Sequence, residues 1–444
     1  MSTSIQSLQS LIQYYADHRV EKIYIKVLAA NDNSKNQVYF GPGFKALTLF
    51  PTGDVYPDPS GDNPIFKAGV DFLWIGDDTS LVNAPSAQII LYPQYPEIRF
   101  SGFLKGCDRS RLDSTRTLMN SRIPGRILFL GTDNQGRIIG SVFKPDSSVC
   151  RQAMEISAGL VKATEIFSEI VTSFFLGVGS DPRTTLLTEL CRIHRLGWIN
   201  SKRLDATKTI LPCKATQCGG YTLEAELGIT PNGRSEPDFQ GWEVKQHGGN
   251  VLTLMTPEPT GGFYVERGVE EFVRTFGYMD RLGRADRMNF GGTHFCNQKH
   301  PNTGLTITLQ GYDSLSGKIT DADGGIAMSS GDGTLAAFWA FTGILKHWNR
   351  KHRNAVYVPS KHRTDPENQY TYGNIVRLGE GTDPLYLLKA IESQMVYYDP
   401  GIKLEGINDV RPSTKRRSQF RVKLRDLNSL YVNVNLVDVT AYCE

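Results

Sequence analysis

Apolar residues at Ile5, Leu8, Leu11, Ile12 and Tyr15 recur at three- and four-residue spacing, which predicts one amphipathic helix near the start of the chain. The texture then changes. Short apolar runs, EKIYIKVLAA, QVYFGPG, KALTLFP, DFLWIG, QIILYP and RILFLG, are divided by Gly, Pro, Asn and Asp, and this cadence predicts an all-β barrel or sandwich ending near Phe143. Residues 148–176 carry helical periodicity without internal Pro, so a helical connector is expected there. LGVGSDP breaks that pattern, and Asp181-Pro182 offers a helix cap followed by proline at the first helical position. The main boundary is placed at about 177–183, dividing the chain into residues 1–147, a helical connector over 148–183, and residues 184–444.

The second part has a different grain. LLTELCRIHRLGWI and GYTLEAELGI read as helices and GWEVKQH as a strand. Later segments such as LTITL, NAVYVP and PLYLLKAIESQ mix the two types, so this half is expected to be α/β or α+β. No internal repeat and no low-complexity stretch is visible.

Composition narrows the class. A chain of 444 residues exceeds one ordinary core, which favours two or three domains. With 40% hydrophobic and 21% charged residues the chain reads as globular, and a net charge of +3 does not by itself announce a nucleic-acid partner. No apolar run approaches the ~20 residues that span a bilayer, and MSTSIQSLQSLIQYY lacks the basic start and apolar stretch of a signal peptide. Seven scattered cysteines favour a reducing cytoplasm over a disulfide framework. A soluble intracellular protein with no membrane partner is the expectation.

The chemistry concentrates in EPDFQGWEVK, residues 236–245. Asp238, Glu243 and Lys245 form D-x4-E-x-K. In an extended strand Glu243 and Lys245 share one face while Trp242 and Val244 point to the other, toward a core. Gly241 supplies a bend that brings Asp238 across from Glu243. Two carboxylates converging with a lysine suit a hard divalent ion such as Mg2+, which polarises a phosphate and lowers the pKa of bound water. On the helix GYTLEAELGI, Glu224 can add a third carboxylate, with Glu226 the competing choice on a different face. An exposed hairpin of mixed charge is the alternative reading of the strand taken alone, since such a spacing arises by chance in roughly one chain in ten.

The order GYTLE, PDFQGWEVK, LTLMTPEP and a late QFRVKLRDLNSLY resembles the MvaI/BcnI restriction endonucleases of the PD-(D/E)XK superfamily, over roughly residues 184–442. The resemblance implies that Glu224, Asp238, Glu243 and Lys245 form the active site, with the three carboxylates as metal ligands. It also implies a Mg2+-dependent, monomeric bacterial enzyme that cuts double-stranded DNA at CCWGG after the second C.

Residues 411–425, RPSTKRRSQFRVKLR, contain seven Lys/Arg and no acid. Most charge runs are solvated faces, but one feeding directly into a strand suits phosphate contacts. The resemblance makes Arg421 a reader of the target in the major groove, where Arg binds guanine. Arg416 and Lys415, in a loop where that family carries histidines, and Lys403 in the preceding strand are weaker candidates. His247, two residues beyond Lys245, is either near the scissile phosphate or an exposed loop histidine.

The stretch KIYIKVLAANDNSKNQVYFGPGFKALTLFP resembles the EcoRII-type N-terminal effector domain, a B3-like DNA-binding pseudobarrel, over roughly residues 20–145. Two arms of that fold would hold DNA: NDNSKNQ with Asn33, Lys35, Asn36 and Gln37, and RFSGFLKGCDRSR with Arg99, Lys105, Arg109 and Arg111. Two polar loops on a barrel are the plainer alternative. A second DNA copy bound by this domain is implied. Other readings stay open: a methylation-dependent or mismatch-repair nuclease of the same superfamily, or a two-headed DNA-binding protein that does not cut. Cys213, Cys218, Cys296 and His300 are too irregularly spaced for a zinc site, and no Gly-Lys-Ser/Thr follows the Gly-rich turns to hold ATP phosphates.

Overall fold

The computed structural model describes residues 5–30, 37–61, 63–179, 181–215, 217–230 and 238–443. The chain divides into two compact units, Met1–Thr185 and Leu186–Glu444.

In the first unit the helix Leu8–Asp17 forms where the pattern predicts it. Ser7 and Ser10 cap it reciprocally, and Leu8, Leu11, Ile12 and Tyr15 are buried. They pack against Ile23 and Ile25 of the strand Val20–Leu28, Ile127 and Phe129 of Arg126–Asp133, and Val149 and Ala153 of the helix Ser148–Ile156. The strands form two sheets. One has seven strands, in the order Val161–Lys162, Ser168–Val171, Val20–Leu28, Arg126–Asp133, Ile138–Phe143, Phe72–Ile75, Leu81–Asn83; the other has five, in the order Gln37–Pro42, Glu97–Ser101, Gln88–Tyr92, Ile65–Gly69, Val55–Asp58. Among the described residues neither sheet pairs its last strand back to its first, so this mainly-β unit is not a closed barrel.

Two elements differ from expectation. KALTLFP is not a strand: Lys45–Thr48 is a 3-10 turn, closed by Leu47 N–H to Phe44 O and Leu49 N–H to Ala46 O. Ala46, Leu47, Leu49 and Phe50 are all buried, so the run lacks the polar face that alternation needs. Residues 148–183 are also not a helical connector throughout. The helix stops at Ile156, and Ser168–Val171 pairs antiparallel with Lys22–Ile25, helped by a 3.2 Å ion pair between Lys22 and Glu169. A long-range strand partner overrode the local helical spacing.

Asp181 caps the helix Pro182–Arg195, which runs into the second unit, by accepting from Thr184 N–H at 2.9 Å. Leu186, Leu187, Leu190 and Ile193 of that helix, and Leu223 of the helix Cys218–Glu226, cover one face of a mixed sheet. That sheet runs Ile199–Asn200, Gln369–Tyr372, Asn354–Arg363, Ile375–Glu380, Asn433–Asp438, with Glu243–His247 pairing parallel to Asn354–Arg363. Trp242, Val244, Val356, Val358, Val376 and Leu378 fill the core face. Alternation therefore sends Glu243, Lys245, Tyr357 and Arg377 to the opposite face. The unit has the α/β character the sequence predicts.

The cysteines depart from expectation. Cys191 pairs with Cys443 and Cys213 with Cys218, while Cys107, Cys150 and Cys296 remain free and buried. The Cα atoms are 5.6 and 5.7 Å apart, within bonding range, although the first pair is separated by 252 residues. Counting cysteines along a chain does not show that folding brings two such positions together. Among the described residues no helix is long and apolar enough to cross a membrane.

Candidate active site

A tight turn builds the site. Gln240 and Gly241 both take positive φ, 45° and 86°, and Phe239 and Trp242 exchange backbone hydrogen bonds of 2.9 and 2.8 Å across them. Glycine suits the second position because it has no Cβ to clash in that region. The reversal folds Asp238 back onto the strand, where its Oδ2 accepts from Val244 N–H at 3.1 Å. Pro237 lies outside the described residues. On the strand, Lys245 Nζ donates to Glu243 Oε1 at 3.0 Å. Glu243 is only 4% exposed, and its Oε2 is buried without a hydrogen-bond partner.

The three carboxylates feel one another. Burial, then the charges of Asp238 and Glu243, push Glu224 up to about 7. Burial and the Glu243 charge push Asp238 up to about 6. Burial also works against ionised Glu243, but the charges of Lys245 and Lys351 outweigh it and hold its carboxyl below the ordinary range. Burial first, and then the nearby acids, push two of the carboxyls toward their protonated forms, beside a third that keeps one orphaned oxygen. Among the described residues no three acidic, His or Cys side chains already converge as a closed ligand cage. All three groups are carboxylates, the donor type that a hard, oxygen-seeking divalent ion takes. Glu226, the competing acid on the helix, is taken up by Lys202 and Arg192.

Two neighbours went unnoticed in the sequence. Lys351 ends the helix Phe341–Lys351, and His352 follows it. The charge of Lys351 acts on Glu224, Asp238 and Glu243 alike. His352 is 1% exposed and stacked on Trp348; burial, then the Lys245 charge, hold it neutral with a pKa of about 3. The basic run NRKHRN was a possible signal, but its proximity depends on the parallel pairing of Glu243–His247 with Asn354–Arg363. His247 shares the face of Glu243 and Lys245, its Nδ1 close to Gly249 O at 3.0 Å and its Nε2 buried without a partner.

The DNA-reading candidates fall on two other sheets. Arg421 lies opposite Thr253 and Tyr397, and its Nη1 donates to Asp399 Oδ2 at 2.6 Å. Lys403 is directly opposite Lys415 on one side and Asn289 on the other. Lys415 is 3.8 Å from Glu405, and Arg416 is exposed. In the first unit Arg99 pairs with Glu97 at 2.7 Å and donates to Gln37 at 3.2 Å, while Arg111 meets Asp78 at 3.5 Å. Lys105 and Arg109 are exposed. Asn33, Lys35 and Asn36 lie outside the described residues.

An acidic cluster with an adjacent lysine at the end of a half-buried strand is an arrangement suited to metal-assisted phosphodiester hydrolysis. The family comparison points the same way: the model of the MvaI/BcnI restriction endonuclease family matches residues 187–431. The chain belongs to the MvaI/BcnI restriction endonuclease family, and it is a site-specific deoxyribonuclease. Among solved structures, it is similar to restriction endonuclease MvaI bound to its cognate DNA substrate, at 18% identity and a TM-score of 0.43 over 58% of this chain and 99% of that one. It is also similar to MvaI in the absence of DNA, at 17% identity and a TM-score of 0.32 over 58% of this chain and 98% of that one. No curated protein matches.

Proposed function

We propose that this protein is a Mg2+-dependent type IIE restriction endonuclease that cuts double-stranded DNA at CCWGG after the second C. In this reading Asp238, Glu243 and Glu224 hold the ion, which supplies Lewis acidity at the scissile phosphate. Lys245 Nζ, beside Glu243, donates to the charge that builds on the phosphate oxygens. Arg421 reads a guanine, released from or still buttressed by Asp399, with Arg416, Lys415, Lys403 and His247 contacting the same duplex. The first unit binds a second copy of the site as effector, through Gln37, Arg99, Lys105, Arg109 and Arg111 together with Asn33, Lys35 and Asn36. The division into effector domain, connector and nuclease, a B3-like fold for the first part and a monomeric state belong to this proposal, as does action in the bacterial cytoplasm. The combination is similar to the monomeric type IIE enzyme UbaLAI.

The observation that carries the reading is the turn at Gln240-Gly241, which folds Asp238 onto Val244 N–H beside the orphaned Oε2 of Glu243. The test is cleavage of plasmids bearing zero, one or two CCWGG sites, with Mg2+ and with EDTA, followed by run-off sequencing of the ends. Mg2+-dependent cuts at CCWGG, faster on two sites, are expected. Cuts elsewhere would overturn the specificity and keep the nuclease. Equal rates on one and two sites would remove the effector role.

A further inference from the structure

One more cation lies on the sheet face of Glu243 and Lys245, and no role above uses it. Lys245 is in register with Tyr357, and Tyr357 with Arg377. Residues directly opposite on neighbouring strands share a face, so the three form one row across three strands. At ~4.8 Å per strand, the backbones of Lys245 and Arg377 are roughly 10 Å apart.

The floor between the two cations is made of rings. Tyr357 is fully buried and its hydroxyl meets that of Tyr431 at 2.8 Å. The Tyr431 ring lies over Gly379, where an added Cβ would come within 2.7 Å of it. This packing leaves no acid in the row to neutralise Arg377. The guanidinium is half-buried, and among the described residues it meets no hydrogen-bond or ion-pair partner. On its other side the row ends at Leu436, which is 64% exposed, so that end of the face is open to solvent. The Arg377 charge adds to burial in lowering the pKa of His247, two residues beyond Lys245.

A half-buried cation without a counter-ion is unfavourable unless an anion arrives. A guanidinium beside a ring-lined floor matches the bidentate geometry of a phosphate. We infer that Arg377 grips a backbone phosphate next to the scissile one and positions the DNA strand over Glu243 and Lys245. The inference rests on reading Glu243–His247 as the cutting strand. Arg377 is a positioning residue here: it touches the substrate backbone two strands from the reacting phosphate and takes no part in bond breaking.

The experiment measures binding of the full chain to a linear CCWGG duplex in EDTA, between about 50 and 200 mM salt, where each phosphate contact contributes about 0.9 to the log–log slope. Arg377→Gln should lower that slope by about one contact and raise KM for cleavage more than it lowers kcat. Arg377→Lys, which keeps the charge and loses the fork, should keep the slope and bind several-fold more weakly. In the unmodified protein the duplex should protect Arg377 from an arginine-specific dicarbonyl reagent, a readout that does not depend on any variant folding. Equal labelling with and without DNA, or an unchanged slope in a folded Arg377→Gln, overturns the inference. Lys245→Ala separates it from the underlying reading. If that variant still cuts, the catalytic assignment itself fails. If cutting is lost there while the Arg377→Gln slope is unchanged, only the phosphate contact fails.

Discussion

The acidic cluster around Glu243 and the basic arm of the first unit treat their charges in opposite ways. In the arm, Arg99 is held by Glu97 and Gln37, and Arg111 by Asp78. These charges are largely satisfied before any ligand arrives. In the cluster, Glu224, Asp238 and Glu243 crowd together, and Glu243 keeps a buried oxygen with no partner. Satisfied polar groups stabilise a fold; buried unsatisfied ones cost stability and mark places kept for something else. The contrast separates a surface whose cations are tied or solvated from a buried cluster that keeps an unsatisfied carboxylate oxygen.

The largest effect is expected at the cluster. Asp238→Ala should reduce cleavage on the order of a hundred- to a thousand-fold or more, while DNA binding in EDTA stays equal or tightens, because a negative group has been removed. Gel-based cleavage rates and a binding titration check this. Cleavage within a few-fold of the unaltered enzyme would dissolve the contrast.

A smaller effect concerns pH. Glu224 is raised to about 7 in the folded chain, so between the ordinary carboxyl range and about pH 7 the folded state holds a proton that the unfolded state has released. Without a divalent ion, stability should therefore fall as pH rises through that window and level off above it. Glu224→Gln removes the Glu224 part of this dependence, while the smaller part from Asp238, raised to about 6, remains. Because the side chain is partly solvated, the variant should be more stable by only about 1 kcal/mol at pH 8 in EDTA, and the difference should vanish near pH 4. Thermal melts at the two pH values test it. A destabilised variant at pH 8 would mean that the carboxyl is a structural hydrogen-bonding group instead.

The smallest effects lie in the arm. Arg109→Ala should leave Tm unchanged and weaken DNA binding only a few-fold at low salt, as expected for one exposed cation. Arg99→Ala should instead lower Tm, because it strips partners from Glu97 and Gln37, at a cost of about 1 kcal/mol or less. Were both variants to behave alike, the distinction between tied and open cations would lose its meaning.

Much of the second unit was legible in the chain. The Asp181-Pro182 start, the helix bearing Glu224 and the strand GWEVKQH are local patterns, and local hydrogen bonding and alternation decide them. The turn at Gly241 was also readable, since glycine there has a conformational reason. The misreadings share a cause. The run 161–171 and KALTLFP were assigned from local spacing, and tertiary partners or all-round burial decided otherwise. Lys351, His352 and Arg377 went unnoticed because nothing near them in sequence shows which strand they lie beside.

The sequence by itself determined which residues the proposed chemistry draws on, D-x4-E-x-K with a helix glutamate upstream, and where the helix and strand that bear them begin. Periodicity and capping act over a few residues, so they are written locally. Only the tertiary structure decided which charges would be paired and which left open. The parallel register of Glu243–His247 with Asn354–Arg363 brings Lys351 and His352 to the acids and sets Arg377 in line with Lys245. Such pairing is a property of strands separated by more than a hundred residues, and no local pattern encodes it.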